Sequence, residues 1–148
     1  MAARAAEAAN KSVMKQRKLF LVVTAASESA MGIALLAAPA VVLKELLGAS
    51  QPGAQTLATA QIAGAALVAL GISCCLARKD DSAPSQTGLL CGMLFYDVAA
   101  ALLLALAGIR WQLVGIALWP AVALHSALGV WCLACIAIRS NRSSATSP

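Results

Sequence analysis

Four uninterrupted apolar blocks limit what this chain can become. They run over Leu19–Leu43, Ala54–Ala77, Gln86–Ile109 and Trp111–Ile138. Each is long enough to cross a hydrocarbon layer, which takes roughly 20 helical residues. The second block has no charged residue, the first has Glu28, the third has Asp97, and the fourth has only His125. Soluble domains are about half apolar and a quarter charged. Here 61% of residues are hydrophobic and 11% charged, and the excess covers whole segments instead of one helical stripe. The expected fold is all-α: a single polytopic membrane domain over residues 1–148, built as an antiparallel bundle of four transmembrane helices.

Charge gives the bundle an orientation. Arg4, Lys11, Lys15, Arg17 and Lys18 precede the first block, Arg78 and Lys79 separate the second from the third, and Arg139 and Arg142 follow the fourth. Only Lys44 and Arg110 fall in the other two connections. The positive-inside rule then puts both termini in the cytoplasm and the chain in a cell (inner) membrane. Basic residues that hug membrane ends suit anionic headgroups, with Arg4, Lys11, Lys15, Arg17 and Lys18 as the main contact. They form no aromatic-studded stripe, so a nucleic-acid partner is not expected.

Along the chain, residues 1–18 read as a basic, helix-favouring cytoplasmic segment. Leu19–Ala26 resembles the apolar part of a cleaved signal, but the apolar run continues past Glu28, so an uncleaved first span over about 19–38 is expected. Pro39 to Gly48 has Pro in its first turn and Gly just past its end, the pattern of a short interfacial helix. Spans over 54–77, 86–109 and 111–138 follow, with a kink or tilt at Pro120 taking up the surplus length of the last. Residues 139–148 read as a disordered cytoplasmic tail. Ala60, Gly64, Leu67 and Gly71 form a smooth face for a close neighbour, and Gly88-x-x-x-Gly92 is a further close-packing motif.

Ionisable groups inside a bilayer are costly and default to functional candidates. Asp97 lies 13 residues before Arg110 and His125 lies 15 after it, so a turn at Ile109-Arg110 places them at one depth. Glu28, ten residues beyond Lys18, reaches a similar level, about 15 Å into the membrane. Glu28, Asp97 and His125 together could exchange protons or bind a ligand, supported by Thr24, Tyr96 and Ser126. Thr24, Glu28 and Gly32 share one helical face, and so do His125, Gly129 and Cys132; a glycine beside each ionisable residue admits a backbone or a small ligand.

At LFYDVAA (94–100) and LWPAVALH (118–125) the chain resembles a group of small bacterial four-helix membrane proteins with no established activity. The likeness extends loosely over Leu19 to Ile138 and implies a four-helix fold in a bacterial inner membrane, with no chemistry attached.

Other chemistry has less support. Cys74, Cys75, Cys91, Cys132 and Cys135 all fall in the cytoplasmic halves of their expected helices, a reducing side. Cys132-x-x-Cys135 has metal-ligand spacing but lacks the loop cysteines that serve the CxxC of vitamin K epoxide reductases, so these two are weak thiol candidates. One histidine excludes a bis-histidine haem within the chain, and a zinc site would have to recruit both carboxylates. No metal, cofactor or catalytic residue is expected.

A non-enzymatic accessory or structural membrane component, partnering a larger membrane-protein complex or a second copy of itself as a homo-oligomer, is the leading expectation, because no loop is large enough for independent chemistry. A small proton-coupled transporter or ligand-binding membrane protein using Glu28, Asp97 and His125 is the alternative. Small multidrug-resistance transporters likewise have four helices and a Glu in the first, although the residues around Glu28 do not match theirs. A lipid- or quinone-linked enzyme with Asp97–His125 as acid and base comes third. One distance separates these readings. If Asp97 and His125 meet beside a cavity, the ligand site leads; if each bonds a neighbouring hydroxyl or carbonyl in a packed interior, the accessory role stands.

Overall fold

The structure, a computed structural model, describes residues 2–79 and 83–145; residues 1, 80–82 and 146–148, which include part of the connection after Arg78 and Lys79 and part of the expected tail, lie outside the described residues. These form α1 (Ala2–Ala37), α2 (Pro39–Leu47), α3 (Ala54–Ala77), α4 (Ala83–Arg110) and α5 (Leu118–Ala145), with no strand among them. Four of the five, all but α2, are long and apolar enough to cross a membrane.

The sequence divides residues 1–18 from the first span, and the structure joins them. No proline interrupts 2–37 and no glycine precedes Gly32, so the Ala-rich segment continues the helix. An exposed ion pair one turn apart, Lys11 Nζ to Glu7 Oε1 at 2.8 Å, adds a few tenths of a kcal/mol to it. The continuous helical stretch that is long and apolar enough to span runs over Lys11–Ala37. The short helix follows its sequence signals: Pro39 opens α2 where a missing N–H costs nothing, and Gly48 closes it at φ 75°. There the Gly48 N–H donates to the Lys44 carbonyl at 2.8 Å.

The largest correction concerns the start of α5. Residues 111–117 are not helical. Gln112 adopts φ 53°, and the Leu113 N–H donates back to the Ala107 carbonyl at 3.1 Å. The segment then crosses the end of α2, whose last carbonyls lack helical partners, and the Ala117 N–H donates to the Glu45 carbonyl at 2.8 Å. Gly115 lies so close to the Leu46 carbonyl that a Cβ there would overlap it. Pro120 is consequently the third residue of α5, not a mid-helix kink. In the first turn its N–H would have no helical acceptor. Pro120→Ala should accordingly change stability by no more than about 1 kcal/mol. A kinked helix interior would instead gain about 3 kcal/mol. The thermal unfolding midpoint in detergent distinguishes the two. At its other end α5 continues to Ala145, through most of the stretch expected as a disordered tail; no glycine or proline lies between Arg139 and Ala145.

α1 packs most extensively on α3, and α4 on α5, with fewer contacts joining the two pairs. The α1–α3 seam is the small face expected from sequence. Gly32 and Gly64 bring the two backbones together: a Cβ on Gly32 would lie 2.6 Å from the Gly64 oxygen, and one on Gly64 would lie 2.8 Å from the Gly32 oxygen. Between the pairs, Phe20, Cys74, Leu90, Met93, Leu128 and Cys132 form one buried cluster. Trp131 meets Phe20 edge-on at 5.7 Å between ring centroids. At Gly88 and Gly92 a Cβ would meet no described residue within 4 Å beyond its own helical turn.

Candidate polar site

Two turns beyond Phe20, the inward face of α1 changes from apolar to polar. Phe20, Thr24 and Glu28 succeed one another at the four-residue spacing that stacks side chains on one helix face, and all three are buried. Opposite them lie Tyr96 and Asp97 on α4 and His125 on α5. The three residues singled out from sequence therefore converge, and their ligating atoms all lie within 4.8 Å of one another.

The contacts form two linked pairs. The Tyr96 hydroxyl donates to Glu28 Oε2 at 3.1 Å, and His125 Nδ1 lies 3.1 Å from Asp97 Oδ1. The latter is an ion pair when His125 is protonated and a neutral hydrogen bond otherwise. Tyr96 joins the pairs, since its ring meets the imidazole edge-on at 5.5 Å. Among the described residues His125 is the one group able to carry positive charge that contacts either carboxylate.

In and beside this cluster, two buried polar atoms have no hydrogen-bond partner among the described residues: Asp97 Oδ2 and Thr24 Oγ1. Asp97 is fully buried, at 0% exposure, where a packed interior would normally satisfy both oxygens. Orphaned atoms of this kind in a buried polar group point to something that binds there or to a stored strain.

Beside the Asp97–His125 pair, α4 and α5 part to form a groove of about 280 Å³. Val98 and Leu102 on α4 and Val130 and Leu133 on α5 wall it, each about half exposed or more on the outer surface. His125, with 13% of its side chain exposed, and the buried Asp97 are at its inner side. Gly129 completes the floor, because a Cβ there would meet the Asp97 Cβ at 3.6 Å, an ordinary contact. No described residue hydrogen-bonds His125 Nε2; the imidazole's one hydrogen bond among the described residues is between Nδ1 and Asp97 Oδ1.

The site meets its sequence expectations unevenly. Tyr96 is a direct partner of Glu28. Thr24 lies on the buried face but bonds none of the three ionisable groups. Ser126 is exposed, donates within its own helix to the Val122 carbonyl at 2.8 Å, and serves only as groove wall. The equal-depth count from Arg110 is off, because seven residues before Leu118 are not helical. Gly129, not His125, packs level with Asp97, and the imidazole spans the remaining turn. The groove walls carry no sequence signal, being ordinary apolar residues whose helix rotation exposes them.

A cation is the other species such a set could hold. Two carboxylates and an imidazole are the donors a zinc site would have to recruit, and they are the residues that meet. The cysteines do not extend the set. The Cys132 thiol donates to the Leu90 carbonyl at 3.2 Å, and Cys74, Cys132 and Cys135 are free thiols in the apolar cluster. No known protein family, curated protein or solved structure matches this chain.

Proposed function

We propose that this chain is a multi-pass protein of a cytoplasmic (inner) membrane whose buried cluster of Glu28, Tyr96, Asp97 and His125 binds a small cationic species, the proton included, as a small proton-coupled transporter or ligand-binding protein would. Four helices of sufficient length and apolarity support the membrane assignment. Gly32 packs near Gly64 and Ser29 near Gly71, while Gly108 packs on Leu118 and Gly129 on Asp97. Within both pairs the contacts run in opposite senses, which supports an antiparallel bundle. The basic clusters favour cytoplasmic termini.

One observation carries the functional reading: Asp97 meets His125 at 3.1 Å on the floor of a groove, with Asp97 Oδ2 unpartnered. A purely accessory protein has use for the hydrogen bond but not for the orphaned oxygen or the space beside it. Polar contacts that only glue helices are expected to bond fully in a packed interior.

Infrared spectroscopy of the protein in lipid, followed across pH, tests the reading. Carboxyl bands from Glu28 and Asp97 should respond to pH, and Glu28→Gln and Asp97→Asn should each remove one. If neither carboxyl responds while the protein stays folded, the cluster is structural and the accessory role returns.

A further inference from the structure

The cluster has a charge deficit. Two carboxylates face one imidazole, and no Lys or Arg contacts either of them among the described residues. With both acids ionised the cluster keeps net negative charge even when His125 is protonated, and a low-dielectric interior penalises such an excess. A positive guest relieves it. What kind of guest depends on the way in.

The groove beside Asp97 is walled by Leu94, Val98, Leu102, Val130 and Leu133, and its outer rim is on the exposed face of the α4–α5 pair. In a four-span bundle that face meets lipid. A hydrated metal ion would have to shed its water against apolar side chains to enter there. An amphiphile arrives already dissolved in the bilayer and brings only its head to the floor. The volume of about 280 Å³ suits a head and the first methylenes of a chain. It lies just below the roughly 300–1,000 Å³ of pockets that enclose whole drug-sized ligands. Asp97 lines the floor, and its buried Oδ2 is an acceptor without a donor. A primary ammonium carries three donors and positive charge on a compact head, matching both deficits. A carboxylate amphiphile is repelled by Asp97 and Glu28. A neutral alcohol leaves the charge uncompensated.

Resting on the cation-binding function proposed above, we infer that the groove between α4 and α5 admits from the bilayer the head of a primary amphiphilic amine, which binds Asp97 beside His125. Glu28, bonded by the Tyr96 hydroxyl, lies beside the pair, and Gly129 leaves the opening that the head occupies.

Binding of radiolabelled dodecylamine to the protein in nanodiscs of neutral phosphatidylcholine, relative to empty discs, tests this. Dodecylamine should bind at least about tenfold more tightly than dodecanol or laurate compete for the site. Gly129→Leu should weaken it at least about tenfold by filling the floor, and Ala101→Leu, at a residue that lines the groove from α4, should do so from the opposite side. Both variants should remain folded, with unfolding midpoints close to that of the unmodified protein. Equal competition by dodecanol, or undiminished binding in both filled variants, would overturn the amine assignment while leaving the proposed function intact. So would one equivalent of Zn²⁺, added alone, binding in a manner lost in Asp97→Asn and His125→Gln, since it would give the cluster to a metal ion. Loss of the carboxyl response in the unmodified protein would overturn both.

Discussion

Gly64→Ile is expected to part α1 from α3 and to disable the polar site with them. The two backbones touch at this point: even a methyl group on Gly64 would lie 2.8 Å from the Gly32 oxygen and 2.9 Å from the Leu35 Cβ. Neither neighbour is a flexible side-chain end, so relief requires moving a whole helix. Overpacking a well-filled interface costs about 1–3 kcal/mol, and a branched side chain against backbone belongs at the upper end. The consequence reaches the site because Glu28 precedes Gly32 by one helical turn on the same buried face. When α1 shifts outward, Glu28 leaves the Tyr96 hydroxyl, now 3.1 Å away. The expected result is a lower unfolding midpoint together with an altered Glu28 carboxyl band, while the Asp97 band, held by the α4–α5 pair, stays. Gly92→Ile is the control. Beyond its own helical turn, no described residue lies within 4 Å of a Cβ there, so it should leave both the midpoint and the bands unchanged. A Gly64→Ile protein with wild-type stability would show that the α1–α3 seam is looser than its geometry.

Much of this arrangement is legible in the residues. The limits of α3 coincide with a block bounded by Gly53 and Arg78, and α2 is read from Pro39 and Gly48. Glu28, Asp97 and His125 stand out because few polar residues interrupt the apolar blocks. The start of α5 is not legible by the same logic. Trp111 to Ala117 is as apolar as a helix, and hydropathy does not distinguish an apolar loop from an apolar span. What unwinds it is tertiary: the free carbonyls at the end of α2 accept the Ala117 N–H, and Gly115 permits the approach. The groove is hidden for a related reason. Depth follows from counting residues, whereas the rotation of α4 against α5, which decides whether Val98 and Val130 touch or gape, depends on packing.

Asp97→Asn is expected to separate stability from function, with the larger effect on function. Asparagine matches aspartate in shape, and its amide oxygen still accepts a hydrogen bond from His125 Nδ1, now at 3.1 Å. Interhelical hydrogen bonds in membrane proteins average about 0.6 kcal/mol, so a substitution that keeps the bond should hardly move the unfolding midpoint. Removal of the negative charge acts differently. The amide neither takes up a proton in this range nor attracts a cation, and its NH₂ occupies the place of the unpartnered Oδ2. The pH-dependent band assigned to Asp97 should disappear, and dodecylamine affinity should fall at least about tenfold. Asp97→Leu completes the comparison, since it removes the hydrogen bond as well and leaves His125 Nδ1 without its acceptor, costing about 1–3 kcal/mol. Glue predicts that asparagine preserves whatever the protein does and that leucine alone abolishes it. A binding site predicts that asparagine and leucine are equally inactive and differ only in stability. The pair of substitutions therefore reads the role of Asp97 from whether activity follows the hydrogen bond or the charge.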